Sequence, residues 1–287
     1  GDPLIMKSQV LAKYIDSLLD ADLPNLKTIR IGTKSLSYWP YKFLTDQYAD
    51  ETLALLERVT KKGKHLAFMA HFNHPAELST KAVRNAIYRV RKTGAQIRTQ
   101  SPILAHINDE PRIWADMWQK QVSLGCIPYY MFVTRDTGAQ EYFGVPLVRA
   151  QGIFRDAYQM VSGLARTVRG PSMSAGPGKI QVLGTVEIGR KKAIVLRFLQ
   201  GRNPQWVQRP FLAKYDEDAI WIDDLKPFSG KRFFFEENQQ VINKKDKRTQ
   251  NAKRKKSRII SSINNVKSNF EDRIGPYHWK IRGHKFP

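Results

Sequence analysis

Between residues 7 and 161 the sequence switches regularly between two spacings of apolar residues, and this alternation constrains the fold most. Residues 7–20 place apolar pairs at Val10/Leu11, Tyr14/Ile15 and Leu18/Leu19, the spacing of a helix. A short apolar run follows at 26–31 and ends at Gly32. Thr45-Asp46 is placed to cap a second helix through Leu53, Leu56 and Val59, with Gly63 as its stop. Residues 66–69 read as a buried strand. Ser79 is placed to cap a third helix, with Ala82, Val83, Ala86, Ile87 and Val90 on one face and Gly94 at its end. Residues 96–99 are poor in strand formers but lie where a strand is due. Asp109-Glu110-Pro111 opens a fourth helix, with Ile113, Trp114, Met117, Trp118 and Val122 inward and Gly125 as its stop. Residues 127–133 form the next strand and 147–161 a fifth helix. Strands alternating with helices through short loops predict an α/β fold with a parallel sheet and crossover helices. A partial barrel fits the regular repeat, and an open doubly wound sheet is the alternative.

After Lys179 the pattern changes. Residues 180–183, 185–188 and 192–198 read as antiparallel strands, with Gly189-Arg190 as a turn. Residues 204–236 are rich in aromatics, and Trp206, Phe211, Trp221, Phe228, Phe233, Phe234 and Phe235 are expected to pack on the barrel. The predicted organisation is a barrel over 1–170, a β-rich extension over 171–236 and a basic Lys/Asn-rich tail over 237–287. The net charge of +22 is uneven, and half of it falls in the last fifty residues. A basic tail can bind nucleic acid, but this one lacks the interleaved aromatics of a single-strand binder, so a solvated extension is the preferred reading. The longest apolar runs are too short for a membrane helix, and neither a basic n-region nor an apolar h-region opens the sequence. Those features predict a cytoplasmic protein. Cys126 is the one cysteine, which excludes disulfides and thiolate clusters within these residues and reads as a small buried hydrophobe.

In parallel α/β folds the loops after strand C-termini build the site. Here those positions carry Gly1-Asp2-Pro3, Arg30 to Lys34, His71-Phe72-Asn73-His74-Pro75, Gln100-Ser101 and Arg135-Asp136. The spacing of His71 and His74 is weak evidence for zinc, and hydrogen bonding to a ligand or to backbone is preferred. A turn-rich stretch, 169–178, leads to Lys179. A lysine held at the foot of a strand can shed its charge and attack a carbonyl. By itself such a Gly/Pro loop more often ends in a solvated lysine.

Several motifs together change that balance. Gly1-Asp2-Pro3-Leu4, Ile29-Arg30-Ile31-Gly32-Thr33, His71-Phe72-Asn73-His74-Pro75, Gln100-Ser101 with Asn108-Asp109, Pro128-Tyr129-Tyr130 and Gly178-Lys179 agree in order and spacing with one family. The chain resembles the lysine 2,3-aminomutase family of radical S-adenosylmethionine enzymes. The resemblance implies a partial (β/α)6 barrel, an isomerase activity that moves an amino group to the neighbouring carbon, and three cofactors: pyridoxal 5′-phosphate, S-adenosylmethionine and a [4Fe-4S] cluster. It implies that Lys179 carries pyridoxal phosphate. Gly1 and Asp2 would meet the amino group of S-adenosylmethionine, and His71, Asn73 and Gln100 would line the adenosylmethionine and substrate side. A homo-oligomer is also implied.

The departures are informative. The C-x3-C-x2-C cluster motif, which the family carries upstream of Gly-Asp-Pro, is absent, so the chain as given is expected to be a piece that is inactive alone. Lysine-using members have aspartates at the positions of Arg135 and Ser172, where they hold the substrate's distal ammonium. A cation and a hydroxyl there suit glutamate or a neutral amino acid instead. The loop 175–178 is also poorer in glycine than the family pattern. Two other functions compete: a non-catalytic nucleic-acid binder acting through the tail, and a radical enzyme that modifies a protein lysine.

Overall fold

A computed structural model describes residues 1–21, 23–135 and 137–236. The chain divides into two units, Gly1–Lys231 and Arg232–Pro287. The second is described only as far as Glu236, where the rings of Phe233 and Phe235 stack 5.1 Å apart.

The first unit is built on one eight-stranded sheet whose strands lie in chain order. They are β1 (Thr28–Thr33), β2 (His65–His71), β3 (Gln96–Pro102), β4 (Ile127–Phe132), β5 (Arg169–Ala175), β6 (Gly178–Ile188), β7 (Lys191–Gly201) and β8 (Pro210–Lys214). Strands β1 to β5 pair in parallel, and β5 to β8 pair antiparallel. The helices are α1 (Ser8–Asp20), α2 (Ser35–Tyr38), α3 (Ala49–Lys61), α4 (Lys81–Lys92), α5 (Pro111–Ser123), α6 (Gln140–Phe143) and α7 (Leu147–Gln159). A doubly wound sheet needs a point where strand order reverses. This order has none, which sets that alternative aside. Right-handed crossovers between strands laid in one direction also put every helix on the same face.

Packing follows that rule. Ile29 and Ile31 of β1, Leu66, Phe68 and Ala70 of β2, Ile97 of β3 and Met131 of β4 join one core with Leu56 and Val59 of α3, Val83 and Ile87 of α4 and Trp114 and Trp118 of α5. Phe68 is fully buried, and burying such a ring stabilises the fold by about 1.5–3 kcal/mol. Of the apolar pairs in α1 only Leu11 and Ile15 are buried, while Val10, Tyr14 and Leu18 remain exposed. The stops at Gly63, Gly94 and Gly125 hold, all at positive φ. The cap of α4 is Thr80, whose hydroxyl accepts from the Val83 N–H, and not Ser79. Helix α3 starts at Ala49, after an Asp46 carboxylate that accepts from the Tyr48 N–H.

The largest departure from the sequence reading is at 169–178. That stretch is not a loop: Arg169–Ala175 is β5, and only the tight connection to Gly178 turns. Residues 180–183 and 185–188 are one strand, β6, with an irregularity between Val182 and Gly184. Trp206, Phe211 and Trp221 are buried. Asp136 and the basic tail from residue 237 lie outside the described residues.

Candidate active site

The face of the sheet away from the helix core is polar. In-register partners on parallel strands share a face. His71 of β2 pairs with Gln100 of β3, Gln100 with Tyr130 of β4, and Tyr130 with Arg169 of β5. Met69 pairs with Arg98 one step lower. Ser174 of β5 pairs with Lys179 of β6. A row therefore runs from His71 to Arg169, and Lys179, which pairs further along β5, reaches it through its side chain over the Tyr130 ring.

Lys179 is half-buried, and its Nζ lies 4.2 Å from the ring centroid of Tyr130 and 5.1 Å from that of Phe132. Those two rings stack 4.9 Å apart. Burial lowers the pKa of Lys179, and the positive charges of Arg30 and Arg169 lower it further. No carboxylate pairs with Lys179, Arg98 or Arg169 among the described residues. Tyr130 is itself held above the usual phenol range, chiefly by burial. The backbone fixes where this amine sits. Gly178 has φ 155°, and a Cβ there would strike the carbonyl oxygen of Gln200.

At the other end of the row, His71 Nε2 lies 2.6 Å from Asn73 Oδ1, which also accepts from the Ser101 hydroxyl at 3.0 Å. A carbonyl oxygen can only accept, so Nε2 carries the proton and Nδ1 is left as the acceptor. Burial, followed by Lys34, lowers the His71 pKa, against the opposing pull of Asn73 and Glu77. The Asn108 amide holds the Asn73 carbonyl, and Glu77 accepts from the Asn73 N–H at 3.3 Å. Gln100 sits between the two ends, half-buried. His74 points elsewhere: its Nδ1 accepts from the Ala76 N–H.

Asp2 is a structural tie. One oxygen accepts from the Thr33 hydroxyl (2.8 Å), the Lys34 N–H (2.7 Å) and the Ser35 hydroxyl (3.2 Å), and the other accepts from the Leu4 N–H. Its carboxylate fixes the end of β1, and Gly1 beside it is exposed.

A cavity of about 520 Å³ opens at the C-terminal end of β4, and its lining includes Phe132, Thr134, Arg135, Phe143 and Ser174. It shares Phe132 with the surroundings of Lys179. Among the described residues, Arg135 is the one charged side chain in its lining. Ser172 is not brought there. It is fully buried, with its hydroxyl toward the Met131 carbonyl at 3.4 Å, and Ser174 takes the place at the cavity wall.

Sequence reading singled out Lys179, His71, Asn73, Gln100 and Arg135, and the structure places them along one face and its rim. It passed over the chemical weight of Arg98, Arg169, Tyr130 and Phe132. The signal was there in β3, whose Gln96, Arg98 and Gln100 alternate with buried Ile97, Thr99 and Ser101.

Cys126 does not suit an iron–sulfur site. It is buried in the helix-side core, and its thiol is pushed up to about 12. Among the described residues no group of three or more His, Cys, Asp or Glu side chains is placed to hold a metal. No helix among them is long and apolar enough to cross a membrane.

No protein-family model matches the sequence. Curated relatives do. "Putative L-lysine 2,3-aminomutase" of Aquifex aeolicus is 35% identical over 225 residues, 78% of this chain and 57% of that protein. L-lysine 2,3-aminomutase of Escherichia coli is 27% identical over 59% of this chain and 48% of its own length. Glutamate 2,3-aminomutase of Clostridioides difficile is 23% identical over 78% of this chain and 49% of its own length. The chain thus spans about half the length of the curated relatives it matches. Among solved structures, a radical SAM methyltransferase from Sphaerobacter thermophilus covers 57% of each chain at 13% identity and a TM-score of 0.32, a likeness too slight to carry an argument. By sequence, this chain is a relative of the lysine 2,3-aminomutases, matched by several members of that family over most of its length.

Proposed function

We propose that this chain is the substrate- and pyridoxal-phosphate-binding part of an amino-acid 2,3-aminomutase that prefers an acidic or neutral amino acid to lysine. The observation that carries this reading is the amine of Lys179, half-buried over two aromatic rings, with cations and no carboxylate around it among the described residues. Such an amine spends more time neutral than a solvated lysine does, and the neutral form is the nucleophile toward an aldehyde.

The surrounding groups fit pyridoxal phosphate: a lysine without a carboxylate partner, an aromatic wall, and guanidiniums free of carboxylates for a phosphate. Bound there, it would supply an electron sink next to the substrate nitrogen. Tyr130 and Phe132 exclude water from the amine. His71, fixed in one neutral tautomer by Asn73, and Gln100 present polar edges toward S-adenosylmethionine, which would supply the hydrogen-abstracting radical. Asp2 ties β1 to the first turn at that end, and with Gly1 it would meet the amino group of S-adenosylmethionine. The iron–sulfur ligands do not fit any cluster of the described residues, and they would come from outside this chain.

The sheet is proposed to curl as a partial barrel. In a flat sheet, strands β1 and β6 would lie about 24 Å apart at strand spacings near 4.8 Å. Arg30 of β1 nevertheless acts on Lys179 of β6 strongly enough to lower its pKa, as curling would allow.

Arg135 sets the substrate preference. As the one charge lining the cavity beside Phe132 among the described residues, it repels a distal ammonium and attracts a distal carboxylate. The test uses the longer protein with its cluster reconstituted, supplied with lysine, glutamate and neutral amino acids. Glutamate or a neutral amino acid should turn over fastest, and Arg135→Asp should shift the preference toward lysine. Lysine as best substrate, unchanged by Arg135→Asp, overturns the assignment.

A further inference from the structure

Arg98 of β3 and Arg169 of β5 stand on either side of β4, and each guanidinium carbon lies 5.2 Å from the centroid of the Tyr129 ring. Two groups so placed lie no more than about 10 Å apart. Tyr129 is the extra residue at the irregularity where β3 meets β4, since Thr99 pairs with Pro128 and Gln100 with Tyr130. That irregularity lets its ring stand between the two arginines. Arg169 also donates to the Tyr130 hydroxyl at 3.3 Å and lies 5.6 Å from the Tyr130 ring, over which Lys179 sits. Arg98 is half-buried and Arg169 exposed, and neither meets a carboxylate among the described residues.

Arg98 and Arg169 share one ring without a carboxylate among the described residues, and Arg169 also bears on the Lys179 amine; such like charges repel, and an anion relieves that repulsion. Contact with the Tyr129 ring restrains both arginine side chains, so less side-chain freedom remains to be lost when an oxyanion arrives. Guanidinium forks match phosphate and carboxylate oxygens in pairs. We infer that Arg98 and Arg169, braced by Tyr129, form an oxyanion clamp next to Lys179. The clamp stands without the aminomutase reading. Assigning its oxyanion to the phosphate of an aldehyde held on Lys179 rests on that reading, and a substrate carboxylate is the other source.

The first measurement is titration of the chain with inorganic phosphate by calorimetry. Wild type should bind, and Arg98→Gln and Arg169→Gln should each weaken binding about tenfold, the loss expected for one charge-assisted contact. Arg155→Gln, which removes an exposed cation paired with Asp156 on α7, should leave binding unchanged. Arg98→Lys keeps the charge and loses the fork, so it should bind weakly while melting like wild type. Equal phosphate affinity in wild type and in the two glutamine variants overturns the clamp, as does an equal loss in Arg155→Gln.

The second measurement finds the source of the oxyanion. Pyridoxal 5′-phosphate and pyridoxal are trapped on the chain with borohydride, and the peptide containing Lys179 is weighed. If the phosphate source is right, wild type prefers the phosphorylated aldehyde by about tenfold or more and Arg98→Gln loses the preference. If the preference is unchanged in Arg98→Gln while phosphate binding falls, the clamp holds and its oxyanion is a carboxylate. No trapping at Lys179 with phosphate binding intact sinks the aminomutase reading and leaves the clamp.

Discussion

On β3, Ile97 and Arg98 are neighbours in the chain and belong to different worlds. Ile97 is buried under the helices, while Arg98 lies against Tyr129 on a face that the helices do not cover. The same division runs along β1, where Ile29 and Ile31 enter the core and Arg30 acts on Lys179. On the covered face the requirement is shape, which many apolar side chains can meet. On the open face Arg30, Arg98, Arg169 and Lys179 stand without a carboxylate partner among the described residues. The strands therefore serve two purposes at once, separated by the two-residue period of the pleat.

The sharpest way to break this comparison is at Lys179. Lys179→Arg keeps the charge and removes the primary amine, so borohydride trapping of pyridoxal phosphate should vanish at that peptide by mass spectrometry. Phe68→Ala, on the covered face, should cost about 3–5 kcal/mol in urea unfolding, the range for a buried aromatic truncation. Its counterpart on the open face is Gln100→Ala, two residues along β3 from Arg98, which should stay within about 0.5 kcal/mol in the same experiment. Asp2→Ala strands the Lys34 N–H and the Ser35 hydroxyl and should fall between the two, at about 1–3 kcal/mol.

A subtler test uses pH. The Lys179 pKa is lowered by burial first and by Arg30 and Arg169 after it. The folded state therefore resists the charged form. That penalty on stability is full below the folded pKa and fades as pH rises through it toward the ordinary lysine value. The midpoint for aldehyde capture should lie below the ordinary value, and Arg30→Gln should move it up. An unmoved midpoint would mean that Arg30 does not act on the Lys179 amine and would remove this support for a curled sheet. The smallest effect is expected at Cys126. With its thiol raised to about 12, iodoacetamide should leave it unmodified at neutral pH until the chain is unfolded.

The five long helices and the strands β1, β2 and β4 were legible from their apolar patterns, β3 only from its place in the alternation, and the four-residue α2 and α6 not at all. Thr80 replacing Ser79 as cap shows the usual limit, since adjacent hydroxyls look alike until one meets an N–H. β5 was not legible: its Gly170, Pro171 and two serines have turn composition, and only pairing with β4 and β6 makes them a strand. Within the candidate site, Lys179 was singled out by the family resemblance, since its own stretch more often ends in a solvated lysine, and His71, Asn73 and Gln100 stood out by strand-end polarity. The partnership of Arg98 with Arg169 could not, because it depends on register across three strands and on the offset at Tyr129.

Gly178 shows what the backbone alone decides. It carries no functional group, yet any side chain at that position must push β6 away from Gln200 of β7. In a saturation scan read by aldehyde trapping at Lys179, it would score like the lysine itself. Restoring bulk elsewhere could not rescue it, because the fault would lie in where the next amine points. The amine proposed to meet the aldehyde is thus guarded by the residue that has least to offer it.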